Sequence, residues 1–117
     1  MPTRDFNFVK DIAHGFALAG GASDITGEVY NLGTGEEHSI AEVIEVVSTI
    51  LGTELLVTER RDRMRPSSSE VHRLIADSSK AALRLGWTPQ HSFRQALEET
   101  IEWYEIHEQA IAHAHAL

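Results

Sequence analysis

Cysteine is absent from the chain, so disulfide bonds and thiolate catalysis are excluded, and nothing indicates an oxidising compartment. Basic residues are scarce, with 10 Lys and Arg against 18 Asp and Glu. This balance argues against nucleic acid as a partner, because nucleic-acid binding needs a basic face. Long apolar runs are also missing, and segment 1–8 shows no apolar signal sequence, so no membrane span or secretion is predicted. We therefore expect a cytoplasmic protein.

The length of 117 residues allows one domain with a modest core, and we treat 1–117 as a single domain. Periodicity of apolar residues predicts alternating strands and helices. Strands are expected at 4–9, 28–32 and 54–58. The resulting order is βαβαβ followed by helices, which defines a small α/β domain.

Helix boundaries carry clearer signals than strands. Ser39 followed by Glu42 forms a capping box, and Gly52 ends that helix. Ser78 or Ser79 is expected to cap a short helix, and Ser92 a long one. The buried stripe of the long helix is predicted at Phe93, Leu97, Ile101 and Tyr104, and both Trp87 and Trp103 are predicted as core anchors.

A cationic segment interrupts this acidic chain. Five of the ten Lys and Arg residues lie within it: Arg60, Arg61, Arg63, Arg65 and Arg73. Arginine meets a phosphate with two parallel hydrogen bonds, so the segment suggests a site for a small anion. The alternative is a solvated loop whose arginines pair with Glu59, Asp62 and Glu70. Composition alone leaves both interpretations open.

Other candidate chemistry is weakly supported. The Gly33-x-Gly35 turn precedes a capped helix, but His38 stands where a dinucleotide fingerprint needs its third glycine, so a tight turn is the favoured interpretation. His107, His113 and His115 are spaced wrongly for one helical face, and no metal site is predicted. The serines at 67–69 lack the sequence context of a nucleophile.

Six segments taken in order carry a resemblance to a known family. They are residues 3–9, 28–35, 39–40, 65–71, 76–81 and 85–89. Together they resemble the C-terminal region of the extended short-chain dehydrogenase/reductases that act on nucleotide sugars, in the NAD-dependent epimerase and 4,6-dehydratase branch. The resemblance covers roughly residues 3–104. It implies a substrate-binding lobe that grips a nucleotide diphosphate, with Arg4 and Arg65 reaching the pyrophosphate and Asn31 beside it.

The catalytic signature of that family is missing from this chain. Its Tyr-x-x-x-Lys motif is absent, since Thr34 follows Tyr30 at the fourth position and Glu108 follows Tyr104. The glycine-rich NAD fingerprint is absent as well. NAD is the cofactor of the full-length family, and none is expected in this chain. The resemblance thus implies a binding fragment that is not catalytic alone.

Partners are expected to follow from that incomplete resemblance. The apolar faces of segment 4–19 would need covering, so a homo-oligomer or a separate Rossmann-type chain is expected. The small-molecule partner would be a nucleotide diphosphate or nucleotide sugar, held weakly. Two alternatives stay open: an oligomeric scaffold that has lost its ligand, or half of a split enzyme.

Overall fold

The computed structural model of the protein describes residues 1–60, 62, 64, 66–69 and 71–116. Within that part of the chain, three short strands alternate with helices and more helices follow. The elements are β1 (Thr3–Arg4), α1 (Val9–Gly21), β2 (His38–Ser39), α2 (Ile40–Leu51), β3 (Arg73–Leu74), α3 (Ser79–Leu85), α4 (Phe93–Ile106) and α5 (Glu108–Ala116). The predicted α/β class and the βαβαβ-plus-helices order are both confirmed.

Strand β1 lies at the centre of a three-stranded mixed sheet of order β2-β1-β3. Thr3 pairs with Ser39 in the antiparallel direction and with Arg73 in the parallel direction. Beyond β1, the backbone N–H of Asp5 donates to the carbonyl of Leu74 at 3.1 Å, which extends the contact of this segment with β3. Residues next to β1 therefore lie between two distant parts of the sequence.

The predicted positions of the strands are wrong, although their order is right. Strand β1 ends at Arg4 instead of Val9, because α1 already begins at Val9. Segments 28–32 and 54–58 form no strand, and Leu56 is fully exposed. The strands paired with β1 are instead β2 and β3. An alternating pattern of apolar and polar residues is compatible with a strand. A strand also needs a second strand to pair with through backbone hydrogen bonds, and the local sequence does not specify that second strand.

Helix α2 begins and ends where its local signals predict. The Ser39 hydroxyl accepts a hydrogen bond from the Glu42 backbone N–H at 3.2 Å, and Gly52 ends the helix in the left-handed conformation with φ 68°. The Glu42 carboxylate does not accept a hydrogen bond from the backbone N–H of Ser39. It contacts Nδ1 of His38 at 2.8 Å instead, so only half of the predicted capping box forms.

Helices α3 and α4 begin after the predicted serines. Ser92 and Gln95 form a complete capping box at α4. Ser78 occupies the cap position of α3, but its hydroxyl donates to the Gly33 carbonyl at 2.9 Å and not to the helix. This serine therefore links α3 to the turn at Gly33.

Trp87 is the centre of a small core. Its side chain is 1% exposed, and its indole N–H donates to the backbone carbonyl of Asp11 at 2.8 Å. Gly15 lets helix α1 lie close to Leu32, because a Cβ added at Gly15 would lie 2.4 Å from Leu32 Cδ1.

The prediction that Trp103 is a second core anchor is wrong, because Trp103 is 50% exposed. Tyr104 in the predicted stripe is also exposed.

The molecule exposes far more surface than a compact chain of its size. Its accessible surface is 9083 Å², whereas a compact monomer of this mass exposes about 6,300 Å². Its radius of gyration is 17.3 Å, against about 13 Å for a compact chain of this length. Helix α1 contributes to this excess, because Asp11 and Gly15 face inward while Val9 and Phe16 are exposed on another side.

The described helices include none that is both long enough and apolar enough to cross a membrane.

Candidate functional site

A groove of about 440 Å³ opens beside the end of β1. Its walls come from three stretches of chain: the first holds Arg4, Asp5 and Asn7, the second residues 31–32 and the third residues 74–77. Two predicted site residues, Arg4 and Asn31, both line this groove although they lie far apart in sequence. The third, Arg65, lies outside the described residues.

Arg4 is held in place by the strand to which it belongs. Its Nη1 donates to the carbonyl of Thr3 at 2.7 Å, and its side chain is partly buried. Asn31 is exposed on the opposite wall. A guanidinium and a side-chain amide are both able to donate hydrogen bonds to anionic oxygens, so the groove has the donors that a phosphate group requires.

Asp5 carries the densest set of hydrogen bonds around the groove. Its Oδ1 accepts from the backbone N–H and the hydroxyl of Thr34, at 3.1 and 2.5 Å. Its Oδ2 accepts from the backbone N–H groups of Gly35 and Ala76, at 2.9 and 3.3 Å. Partial burial by itself would raise the pKa of Asp5, but these hydrogen bonds outweigh it and hold the pKa below its ordinary value of 3.8.

The Gly33-x-Gly35 turn is occupied by this internal carboxylate. A Cβ added at Gly33 would lie 2.3 Å from Ala76 Cβ and 2.7 Å from Asp5 Oδ2, and Gly35 has a φ of 77°. The glycines thus permit close packing and a left-handed turn. Because the amides of Thr34 and Gly35 already face Asp5, the turn does not fit the phosphates of NAD.

A second cluster of charged side chains ties α1 to the start of α4. Asp11 is 4% exposed and accepts from both the backbone N–H of His91 and its Nδ1, at 3.2 and 2.8 Å. The other ring nitrogen of His91 lies 2.8 Å from Glu99, and Lys10 contacts Glu99 at 3.0 Å. Since both nitrogens of His91 face carboxylates, this ring is not available as a base for a neighbouring hydroxyl.

Sequence reasoning did not predict the long-range hydrogen bonds of Asp5 and Asp11. Asp11 was recognisable only as an acid in the first turn of a helix, and Asp5 only as part of a strand. The partner of Asp11 lies 80 residues away, and Asp5 reaches Ala76 across 71 residues. No local spacing rule connects such positions.

The cationic segment is only partly described by the structure. Arg60 contacts Asp62 at 3.3 Å, and the Arg73 guanidinium contacts Glu37. Both pairs are exposed, and the Arg60–Asp62 pair is one that the solvated-loop alternative expects, whereas Glu37 is not among the partners that it names. Arg61, Arg63 and Glu70, like Arg65, lie outside the described residues, so the small-anion interpretation of the segment stays a prediction. In the described parts of the chain, no three His, Asp or Glu residues are grouped to hold a metal ion.

Comparison with known proteins finds similarity to nucleotide-sugar epimerases and dehydratases. A family model described as GDP-mannose 4,6 dehydratase matches residues 1–100. A dTDP-glucose 4,6-dehydratase from an Actinoplanes species is 35% identical, over 86% of this chain and 30% of its own.

Solved structures agree with the sequence match. The epimerase Mth375 of Methanothermobacter thermautotrophicus superimposes with a TM-score of 0.79 at 32% identity, over 94% of this chain and 32% of that one. A UDP-glucose 4-epimerase from Bifidobacterium longum, in complex with NAD+ and UDP, gives a TM-score of 0.76 at 30% identity, over 90% and 30%. The chain spans about three tenths of the length of the curated relatives that it matches.

Proposed function

We propose that this chain, which belongs to the family of NAD-dependent nucleotide-sugar epimerases and dehydratases, binds the diphosphate of a nucleotide sugar and has no catalytic activity of its own. The observation that carries the proposal is the meeting of Arg4 and Asn31 in one groove. A relative of similar fold is known in complex with UDP and another acts on a dTDP sugar, so a nucleoside diphosphate is the ligand class.

The absence of catalysis follows from the residues that the chain contains. A hydride transfer through NAD needs a cofactor site and a proton-transfer group. The sequence has no Tyr-x-x-x-Lys motif, and its one Gly-x-Gly turn is filled by Asp5. Binding without turnover is the activity that remains for this chain alone.

Calorimetric titration with UDP, dTDP, GDP and CDP tests the proposal. We expect one of them to bind the wild-type chain weakly, and Arg4→Ala to reduce that affinity at least about tenfold, because a hydrogen bond to a charged group contributes about 1.5–3 kcal/mol. Arg65→Ala should reduce it as well. Arg94→Ala, which removes an exposed arginine paired with Glu98 on α4, is the matched control and should leave the affinity unchanged.

The absence of heat with all four nucleotides would contradict diphosphate binding and favour a scaffold that has lost its ligand. Equal affinities for Arg4→Ala and the wild type would show instead that the ligand binds elsewhere.

Association with another chain is the second part of the proposal. The accessible surface exceeds that of a compact monomer by about 2,700 Å², which is of the order that obligate interfaces bury. The exposed side of α1, with Val9 and Phe16, supports a partner on that face. The partner would be a second copy or a separate Rossmann-type chain, and the complex is expected in the cytoplasm.

Light scattering during gel filtration measures this association. We expect a mass above that of one chain at micromolar concentration, or a stable complex after mixing with a Rossmann-type chain. Phe16→Asp should abolish the association, whereas Leu83→Asp, which changes an exposed leucine on α3, should not. A monomer under both conditions would contradict the partner proposal.

A further inference from the structure

We infer that Asp5 is a positioning residue for the groove, holding the segment that carries Asn31 at a fixed distance from Arg4. This inference rests on the proposed diphosphate binding. Asp5 follows Arg4 directly, so any group that Asp5 fixes is fixed relative to Arg4 as well. Thr34 and Gly35, which donate to the Asp5 carboxylate, follow Asn31 by three and four residues.

The carboxylate joins all three walls of the groove. It belongs to the first wall, accepts from the turn that follows the second, and accepts from Ala76 in the third. The first and third walls are already joined, because Arg4 of β1 pairs with Leu74 of β3. The second wall, residues 31–32, is irregular and lacks the ladder hydrogen bonds that hold strands in register. Asp5 supplies a fixed junction between the paired strands and the turn that follows this second wall.

Packing around Gly33 prevents the turn from approaching the third wall any further. The position of its missing Cβ is already filled by Ala76 and Asp5, and the Ser78 hydroxyl holds its carbonyl at 2.9 Å. Without the carboxylate, the amides of Thr34 and Gly35 would lose their acceptor. The turn would then move outward and carry Asn31 away from Arg4.

Neutralising the negative charge of Asp5 has opposite expected effects on anion binding under a positioning function and under a purely electrostatic effect. If Asp5 acted only through its negative charge, its neutralisation would tighten the binding of an anion. If Asp5 positions the groove, Asp5→Asn weakens binding, because an amide nitrogen would face N–H donors that need an acceptor. Asp77→Asn is the matched control. Its exposed carboxylate lines the same groove but accepts its hydrogen bonds from Ser79, two residues away, and bridges no distant segments among the described residues.

Titration of each variant with UDP and dTDP, at a temperature where circular dichroism shows it folded, tests the inference. We expect Asp5→Asn to weaken binding about tenfold or more and Asp77→Asn to tighten it slightly. Should Asp5→Asn fail to fold, Thr34→Val and Thr34→Ser decide. Thr34→Val removes the hydroxyl donor and should weaken binding severalfold, while Thr34→Ser keeps the hydroxyl and should bind like the wild type.

The possible outcomes distinguish this inference from the proposed function. A wild-type chain that binds neither UDP nor dTDP, nor the other two diphosphates, overturns both. A wild-type chain that binds while Asp5→Asn binds equally or more tightly overturns only the positioning function. Equal affinities for Thr34→Val and Thr34→Ser would do the same.

Discussion

Replacement of Trp87 by alanine is expected to lower the free energy of unfolding by about 3–5 kcal/mol, the range for removing a large buried aromatic side chain. Trp87 is the largest side chain that is fully buried among the described residues, and it contacts α1 at Gly15. Its removal also leaves the Asp11 carbonyl without its indole donor. Urea denaturation followed by far-ultraviolet circular dichroism would measure the loss.

Trp103→Ala provides the matched comparison, since it removes the same side chain from a position that is 50% exposed. We expect the free energy of unfolding to fall by less than about 1.5 kcal/mol, because about half of the Trp103 side chain is still exposed to water in the folded chain. Similar losses for the two variants would show that Trp103 is covered in solution, either by α5 or by another chain.

Replacement of Asp11 by alanine has the second largest expected effect, a loss of about 3 kcal/mol. The carboxylate is buried and accepts two hydrogen bonds from His91, and each hydrogen bond to a charged group contributes about 1.5–3 kcal/mol. Its removal would also leave the backbone N–H of His91 without an acceptor. Thermal denaturation of the variant beside the wild type measures the difference.

Asp62→Ala is the control for Asp11→Ala. Asp62 is exposed and contacts Arg60 at 3.3 Å, and an exposed ion pair contributes less than about 1 kcal/mol. If Asp11→Ala were no more destabilising than Asp62→Ala, the contact between α1 and the start of α4 would not depend on the carboxylate. That contact would then depend on the other groups at the junction, such as the Lys10–Glu99 pair.

Helix boundaries were predictable because their causes are local. Ser39 and Ser92 accept hydrogen bonds from backbone groups three residues away, and Gly52 adopts a conformation that few other residues tolerate. All the residues that form each cap therefore lie within one short stretch of the sequence.

Strand positions and the structure of the groove were not predictable in this way. The pairing of β1 with β3 joins residues about 70 positions apart, and segment 28–32 has a strand-like pattern without a partner. Arg4 and Asn31 could be brought together only through the family resemblance. Asp5 shows the limit most clearly, since its donors come from two distant segments of the chain.

Burial was the least predictable property. Trp87 and Trp103 both lie among apolar neighbours in the sequence, yet only Trp87 is covered by α1. Which tryptophan is buried depends on whether a second element lies opposite, and that depends on the whole chain. The error at Trp103 therefore has the same physical origin as the errors in the strands.

The thin core has a consequence for the life of the protein in the cell. A chain that buries so little of its apolar surface has a small margin against unfolding, and its open forms are substrates for proteases. A partner that covers α1 would bind only the folded form and would lower the population of open forms by mass action. The abundance of this chain would then follow the supply of its partner.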